Sequence, residues 1–302
     1  MRYLCNMVLS ILISVYNFDC IPLIKKLLTQ LPPECEIVVA DDASNDVWLK
    51  ESNRIQLEQC DNVRYWESDK NLGRARIRNK LALLAKGEWI LFLDCDALPY
   101  HNHFLTNYLG KKEKADVICG GTKGMENCPS TKVSLRYKYE KEYWKRHSAK
   151  ERSKKPYESF TPFNFMIRKN VFEKIRFSEL LIDYGHEDTL FGQELKKREI
   201  SILHIDNRAI HTGLDTNTEF LKKTECALAS LLKIDPEFKF ANRLTQTYLF
   251  LKRWHLLSLL NLWHSATETI ERRNLLSSTP SLFVFQLYKL GYFCRLCRKK
   301  KV

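Results

Sequence analysis

The chain has 302 residues, 44% of them hydrophobic and 28% charged, which excludes global disorder and leaves room for one large core or two smaller ones. Its formal net charge of +13 sits in blocks: residues 132–156 carry 10 Lys/Arg against 3 Glu, and residues 220–302 carry 15 Lys/Arg against 5 Asp/Glu, so the rest of the chain is slightly acidic. The ten cysteines follow no repeating frame and no secretory signal is evident at the N-terminus, which argues against a disulfide scaffold and predicts a reducing cytoplasm.

Residues 8 to about 120 alternate between strand-like and helix-like segments. "VLSILISVY" reads as a buried strand, and "IPLIKKLLTQL" sets Ile21, Ile24, Leu27, Leu28 and Leu31 on one helix face. "CEIVVADDAS" is a second strand that ends in acid, and "NVRYWES" a third. "RARIRNKLALLAKG" is helical through Ile77, Leu81 and Leu84, with Gly87 as a stop signal. "EWILFLDCD" and "ADVICGG" are further strands. This alternation predicts an open, mostly parallel α/β sheet, in which ligands bind at the carboxyl ends of the strands. Three strands end there in polar residues: Ser14 to Asn17, Asp41 with Asp42, and Asp94 to Asp96.

From 120 to 160 the chain is polar, basic and rich in Tyr, and reads as loop plus helix covering the sheet. "FTPFNFMIRKNVFEKIRF" returns to strand and then helix. "HEDTLFGQELKKREI" reads as a helix with Glu187 and Asp188 in its first turn and Lys196, Lys197 and Arg198 in its last, a charge order that suits the helix dipole. "ISILHI" and "NRAIHTG" are strand-like, and from 217 onward the pattern is almost all helical.

Three groups of residues carry candidate chemistry. In "LDCDA" two carboxylates one residue apart follow a strand, where both can face a divalent cation; Mg2+ and Mn2+ favour oxygen ligands and commonly combine one or two carboxylates with substrate phosphates. Glu187 and Asp188 serve either as helix-terminal acids or as a general base beside a second carboxylate. His211 is a candidate Mn2+ ligand, and His204, seven residues earlier, competes with it.

Taken in order, "SILISVYN", "EIVVADDASND", "NLGRARIRNKLALLAKGEWILFLDCDA" and "FSELLIDYGHEDTLFGQEL" resemble glycosyltransferase family 2, nucleotide-sugar-dependent enzymes of the GT-A fold, over roughly residues 8 to 214. The resemblance implies a Rossmann-like α/β catalytic domain over 1–216, with a nucleotide-binding half to about 120 and an acceptor-binding half from about 121; residues 217–302 fall outside it and read as a helical basic region. Carried over by position, it implies that Ser14, Tyr16 and Asn17 line the nucleotide pocket, that Asp42 meets the base edge and that Arg78 sits by the nucleotide. Asp94 then lies near ribose and metal, Asp96 and His211 ligate a Mn2+ or Mg2+ ion, Asp188 is the catalytic base and Glu187 positions the acceptor. Two positions depart from the family pattern: Ser14 stands where a proline is usual, and Ala97 where many members have a further Asp.

The expected reaction is inverting transfer from a nucleotide sugar, UDP favoured, to a hydroxyl of a saccharide or lipid-linked saccharide, in the building of a polysaccharide or glycolipid. A nucleotidyltransferase would also pair acids on an α/β sheet, but "SVYNFDC" has no Gly-rich phosphate loop. A nucleic-acid-binding protein using the basic tail leaves the acid-ended strands unexplained, so no nucleic acid is expected. "LTQTYLFLKRWHLLSLLNLWHSA" is interrupted by Lys252, Arg253 and His255, which argues against a spanning helix. The aromatic C-terminal segment, closing on Arg298 to Lys301, suits an anionic membrane surface on the cytoplasmic face; helices packed on the catalytic domain or in a homodimer are the other reading.

Overall fold

The computed structural model describes residues 7–179, 187–232 and 243–299. Its strands are β1 (Leu9–Val15), β2 (Cys35–Asp41), β3 (Val63–Glu67), β4 (Trp89–Asp94), β5 (Ala97–Pro99), β6 (Val117–Cys119), β7 (Thr122–Lys123), β8 (Asn164–Arg168), β9 (Ile202–His204) and β10 (Ala209–His211). Its α-helices are α1 (Ile21–Leu28), α2 (Val47–Glu58), α3 (Arg74–Leu84), α4 (Phe104–Leu109), α5 (Ser134–Lys145), α6 (Ala149–Arg152), α7 (Lys169–Ile175), α8 (Glu187–Lys197), α9 (Asn217–Leu231), α10 (Arg243–Arg253), α11 (Leu257–Leu275) and α12 (Leu282–Lys299). Two compact units divide these elements.

The first unit takes the described residues of Met1–Gly124, Trp144–Ile182 and Glu187–Gly213. Its seven-stranded sheet has the order β3-β2-β1-β4-β8-β6-β9, parallel except where β8 runs against β4 and β6. The central strands are buried on both faces, so they read as unbroken apolar runs rather than alternating ones. Successive residues still serve opposite faces. Ile11, Ile13, Ile37 and Val39 pack with Ile21, Ile24 and Leu27 of α1, while Leu12, Val38 and Ala40 pack with Ile77 and Leu81 of α3. An aromatic core extends the second face: Phe92 stacks on Phe165 at 5.0 Å, and Phe177 on Phe191 at 4.5 Å.

Two features of this unit left weak signals in the sequence. Helix α2 buries only Asn53 and Leu57, so it has almost no apolar stripe; Asp46 caps it by accepting the Leu49 N–H at 3.0 Å. Strands β5 and β7 are three and two residues long, too short for periodicity, yet with β10 they form a second sheet of order β5-β10-β7.

The second unit gathers Met125–Tyr143 with the described residues of Leu214–Val302. Residues 125–143, expected from sequence to cover the sheet, therefore group with the C-terminal helices. Asn217 ties them together: its Oδ1 accepts the Leu135 N–H at 2.8 Å and its Nδ2 donates to the Ser277 carbonyl at 2.9 Å. Thr216 and Glu219 form a capping box that starts α9. Cys294 and Cys297 are buried in the core of this unit, and burial pushes Cys294 up to about 12. Among the described residues no helix is long and apolar enough to cross a membrane. Lys300 and Lys301 of the basic tail lie outside the described residues.

Candidate active site

The carboxyl ends of β1, β2 and β4 bring the first predicted residues side by side. Ser14 stands in register with Ala40 on one side and Asp94 on the other. Beyond it the chain turns at Asn17, whose φ of 49° lies in the left-handed region that Asn tolerates. The Asn17 side chain accepts the N–H groups of Asn45 and Asp46 at 2.8 and 3.1 Å, and its own N–H donates to Ser44 Oγ at 2.8 Å. Asn45 in turn donates to the Tyr16 hydroxyl at 2.8 Å, and Asp41 holds Ser44 through both carboxylate oxygens. The loops after β1 and β2 are thus stapled together, with the Tyr16 ring 44% exposed at their rim.

Asp42 spends its carboxylate on the chain itself, accepting the N–H groups of Leu72 at 2.7 Å and Gly73 at 3.0 Å. Gly73 has φ +81° and precedes the first residue of α3, so this contact fixes where that helix begins. Burial raises the Asp42 carboxyl above its usual range, opposed by those two N–H groups. One turn into α3, Arg78 is buried and donates from Nη2 to Asp94 Oδ1 at 2.6 Å, with its guanidinium 5.5 Å from the Phe177 ring centre. Its Nη1 is buried without a hydrogen-bond partner among the described residues.

Asp96 and His211 meet across the second sheet, with Asp96 Oδ2 3.0 Å from His211 Nε2. The Asp96 carbonyl accepts both the N–H of Thr212, at 2.9 Å, and its hydroxyl, at 3.0 Å. Gly213 lies so close that a Cβ there would sit 2.3 Å from Asp96 Oδ2. Asp96 Oδ1 is buried with no hydrogen-bond partner among the described residues. A carboxylate oxygen left bare beside an imidazole is a donor set that suits Mn2+ or Mg2+, provided substrate oxygens complete the shell. No group of three or more His, Cys, Asp or Glu side chains is gathered for a metal among the described residues. Of the three residues expected at a metal, Asp96 and His211 meet directly, while the Asp94 carboxylate turns to Arg78.

His204 Nδ1 accepts from Arg152 Nε at 3.1 Å, which leaves Nε2 to donate to the Pro156 carbonyl at 2.9 Å, so both of its ring nitrogens are engaged. Ala97, where many members of the resembled family have a further Asp, is fully buried and pairs with His211 in the second sheet.

Glu187 and Asp188 open α8. Glu187 Oε1 lies 3.7 Å from Nη1 of Arg74, in the first turn of the helix that carries Arg78. Asp188 Oδ1 accepts the Thr189 N–H at 2.7 Å. The segment "LLIDYGH" that precedes them lies outside the described residues. Thr212, Gly213 and Asn45 are the residues missed from the sequence. "IHTG" held the signal for the first two, since a Gly two residues past a candidate ligand marks a close backbone approach.

The chain matches the family model described as glycosyl transferase family 2 over residues 10–176, more than half its length. Glycosyltransferase GlyG of Streptococcus pneumoniae serotype 4 (strain ATCC BAA-334 / TIGR4) is 29% identical over 115 residues, which span 37% of this chain and 38% of the relative's length. Mannosyltransferase PcManGT from Pyrobaculum calidifontis, solved in complex with GDP-Man and Mn2+, superposes with a TM-score of 0.59 at 15% identity, covering 97% of this chain and 86% of that one. S. aureus TarS 1-349 in complex with UDP-GlcNAc gives a TM-score of 0.51 at 17% identity, covering 98% and 92%. At such identities the structural likeness is one of fold.

Proposed function

The chain belongs to glycosyl transferase family 2, and from that premise we propose that it transfers a sugar, with inversion, from a nucleoside diphosphate sugar to a hydroxyl of a saccharide or lipid-linked saccharide. The observation that carries this reading is the bare, buried Asp96 Oδ1 beside His211, in the turn that follows β4, whose last residue Asp94 pairs with Arg78. TarS has been solved with UDP and UDP-GlcNAc, and PcManGT with GDP-Man; UDP is the nucleotide we favour here.

In this mechanism the stapled loops bind the nucleoside, with the exposed Tyr16 ring against the base. Asp94 neutralises Arg78 and orients it, so that the unpartnered Nη1 is left to donate to the nucleotide. Asp96 and His211 would hold a divalent cation, which would supply positive charge where the departing diphosphate gathers negative charge. Asp188 accepts the proton of the acceptor hydroxyl as that oxygen bonds to the anomeric carbon. The bond from that carbon to the diphosphate oxygen breaks on the opposite face, which inverts the centre without a covalent enzyme intermediate. Glu187, held towards Arg74, orients the acceptor.

The test is a panel of nucleotide sugars assayed for nucleoside diphosphate release with Mn2+ and with a chelator. Turnover with one donor, lost in chelator, is expected. Asp188→Asn should abolish transfer and keep nucleotide affinity within about threefold, since a neutral isostere loses the base but not the fold. Chelator-resistant turnover would sink the metal assignment, and loss of nucleotide binding in Asp188→Asn would sink that of the base.

A further inference from the structure

In the second unit, α10 and α11 turn their apolar side chains in two directions. Leu244 and Tyr248 of α10, and Leu257 and Leu260 of α11, pack with Phe293, Cys294 and Cys297 of α12. Residues two positions further along a helix point about 200° round from these. Phe250, Leu259 and Leu262 accordingly face away from α12, at 59, 65 and 71% exposure. Trp254 adds a fourth large apolar side chain at 62%. Isolated exposed apolar residues are ordinary, whereas a run of this kind along one hairpin marks a surface that meets something.

The bend between the helices is part of the same surface. Residues 252–256 are exposed throughout. His255 closes α10 at φ 56°, with its N–H bonded to the Lys252 carbonyl at 3.1 Å and the Leu256 N–H to the Leu251 carbonyl at 3.0 Å, a cap usually given to glycine. This tight turn keeps Trp254 beside the exposed Lys252 and Arg253 at the tip. Residues 243–267 contain three Lys/Arg and no Asp or Glu.

Charge decides between the occupants that such a face admits. A second copy of the chain, docked by two-fold symmetry, would set the patch against itself and leave Lys252 and Arg253 with no acid in it to answer them. An anionic bilayer answers both features: the apolar side chains and Trp254 enter the boundary between headgroups and acyl chains, and the cations meet the headgroups. We propose that the α10–α11 hairpin is a docking surface for an anionic lipid bilayer, on which the protein lies without crossing it. The surface stands apart from the charged tail after Cys297, and it is independent of how donor, metal and base are assigned.

The experiment is flotation of the full chain with vesicles of phosphatidylcholine alone and of phosphatidylcholine mixed with phosphatidylglycerol, at low and high salt. Binding to the mixed vesicles, weakened by salt, is expected. Trp254→Ser combined with Leu262→Ser should weaken it at least about tenfold, since each change removes a large apolar side chain from the buried contact. Lys252→Glu with Arg253→Glu should erase the preference for phosphatidylglycerol. All four side chains are exposed, so thermal melts and nucleotide binding should stay as in the wild type; the charge pair keeps the test intact if the apolar pair proves unstable. Absence of binding to mixed vesicles, binding unchanged in both variants, or a solution dimer dissolved by Trp254→Ser with Leu262→Ser would each overturn the proposal, the last by assigning the face to a second copy.

Discussion

Gly213→Ala tests whether the position of Asp96 matters more than its presence. The new methyl group would begin 2.3 Å from Asp96 Oδ2, 2.9 Å from its Cβ and 3.0 Å from its Cγ. Ordinary carbon–oxygen contact requires the carboxylate to retreat by about 1 Å. It has little freedom to do so: Oδ2 is held against His211 Nε2 at 3.0 Å, and the Asp96 carbonyl is held by Thr212 twice. Overpacking of this kind costs about 1–3 kcal/mol of stability. A misplacement of about 1 Å at a reacting centre costs about 100-fold in rate. We therefore expect kcat/KM to fall about 100-fold and the Mn2+ concentration for half-maximal activity to rise, with the melting temperature lower by only a few degrees. Nucleoside diphosphate release measured across a Mn2+ titration checks this. Wild-type turnover at wild-type Mn2+ demand would refute the claim that Gly213 sets the carboxylate in place.

Two further outcomes concern stability and pH. Burial alone would raise the Glu36 carboxyl, but hydrogen bonds from Ser10, the Lys86 N–H and Arg64 hold it below its usual 4.5. The native state then binds fewer protons than the unfolded state near that pH, so the stability Glu36 contributes is present above 4.5 and is lost as pH falls through the lowered native value. Glu36→Gln should destabilise by about 2 kcal/mol at neutral pH, and the gap in urea midpoints should close in acid; a gap that does not change with pH would count against this account. Lys289 of α12 is the opposite case, because burial lowers it from 10.5 to about 8. The native state resists its charge, so its penalty is complete below about 8 and fades as pH rises to 10.5. Its ammonium lies 4.9 Å from the Phe285 ring centre and 5.5 Å from that of Tyr139, which offsets part of the penalty. Lys289→Met should stabilise by about 1–2 kcal/mol at neutral pH and gain less towards pH 10; thermal melts showing equal gains at both would refute it.

How much of this was legible in the sequence depended on burial. The strands β1, β2 and β4 wrote themselves as apolar runs because both faces of each are covered. The helix α3 followed from Ile77 and Leu81, which enter the core. The helix α2 was lost because it buries so little, and β8 could not be recognised as antiparallel because strand direction leaves no mark on composition. In the site, positions were readable and partners were not. Asp42 was visible as an acid closing a strand, but nothing at position 42 announces that its oxygens go to Leu72 and Gly73, thirty residues on. Likewise nothing at position 204 announces Arg152, whose buried guanidinium takes up the His204 ring from a segment that reads only as basic.

The two aspartates of "LDCDA" show why partners stayed hidden. In a continuing strand, residues two apart face the same way, so Asp94 and Asp96 would aim at one ligand together. The strand does not continue. β4 ends at Asp94, residues 95 and 96 form a turn, and β5 begins at Ala97. Asp94 is left facing Arg78 on α3, while Asp96 swings to His211 on β10. The turn thus converts a paired charge into two separate devices, one that neutralises and aims a buried cation and one that leaves a carboxylate oxygen bare. Position 97, where the family pattern places a further acid, is held by the fully buried Ala97 opposite His211 in the second sheet.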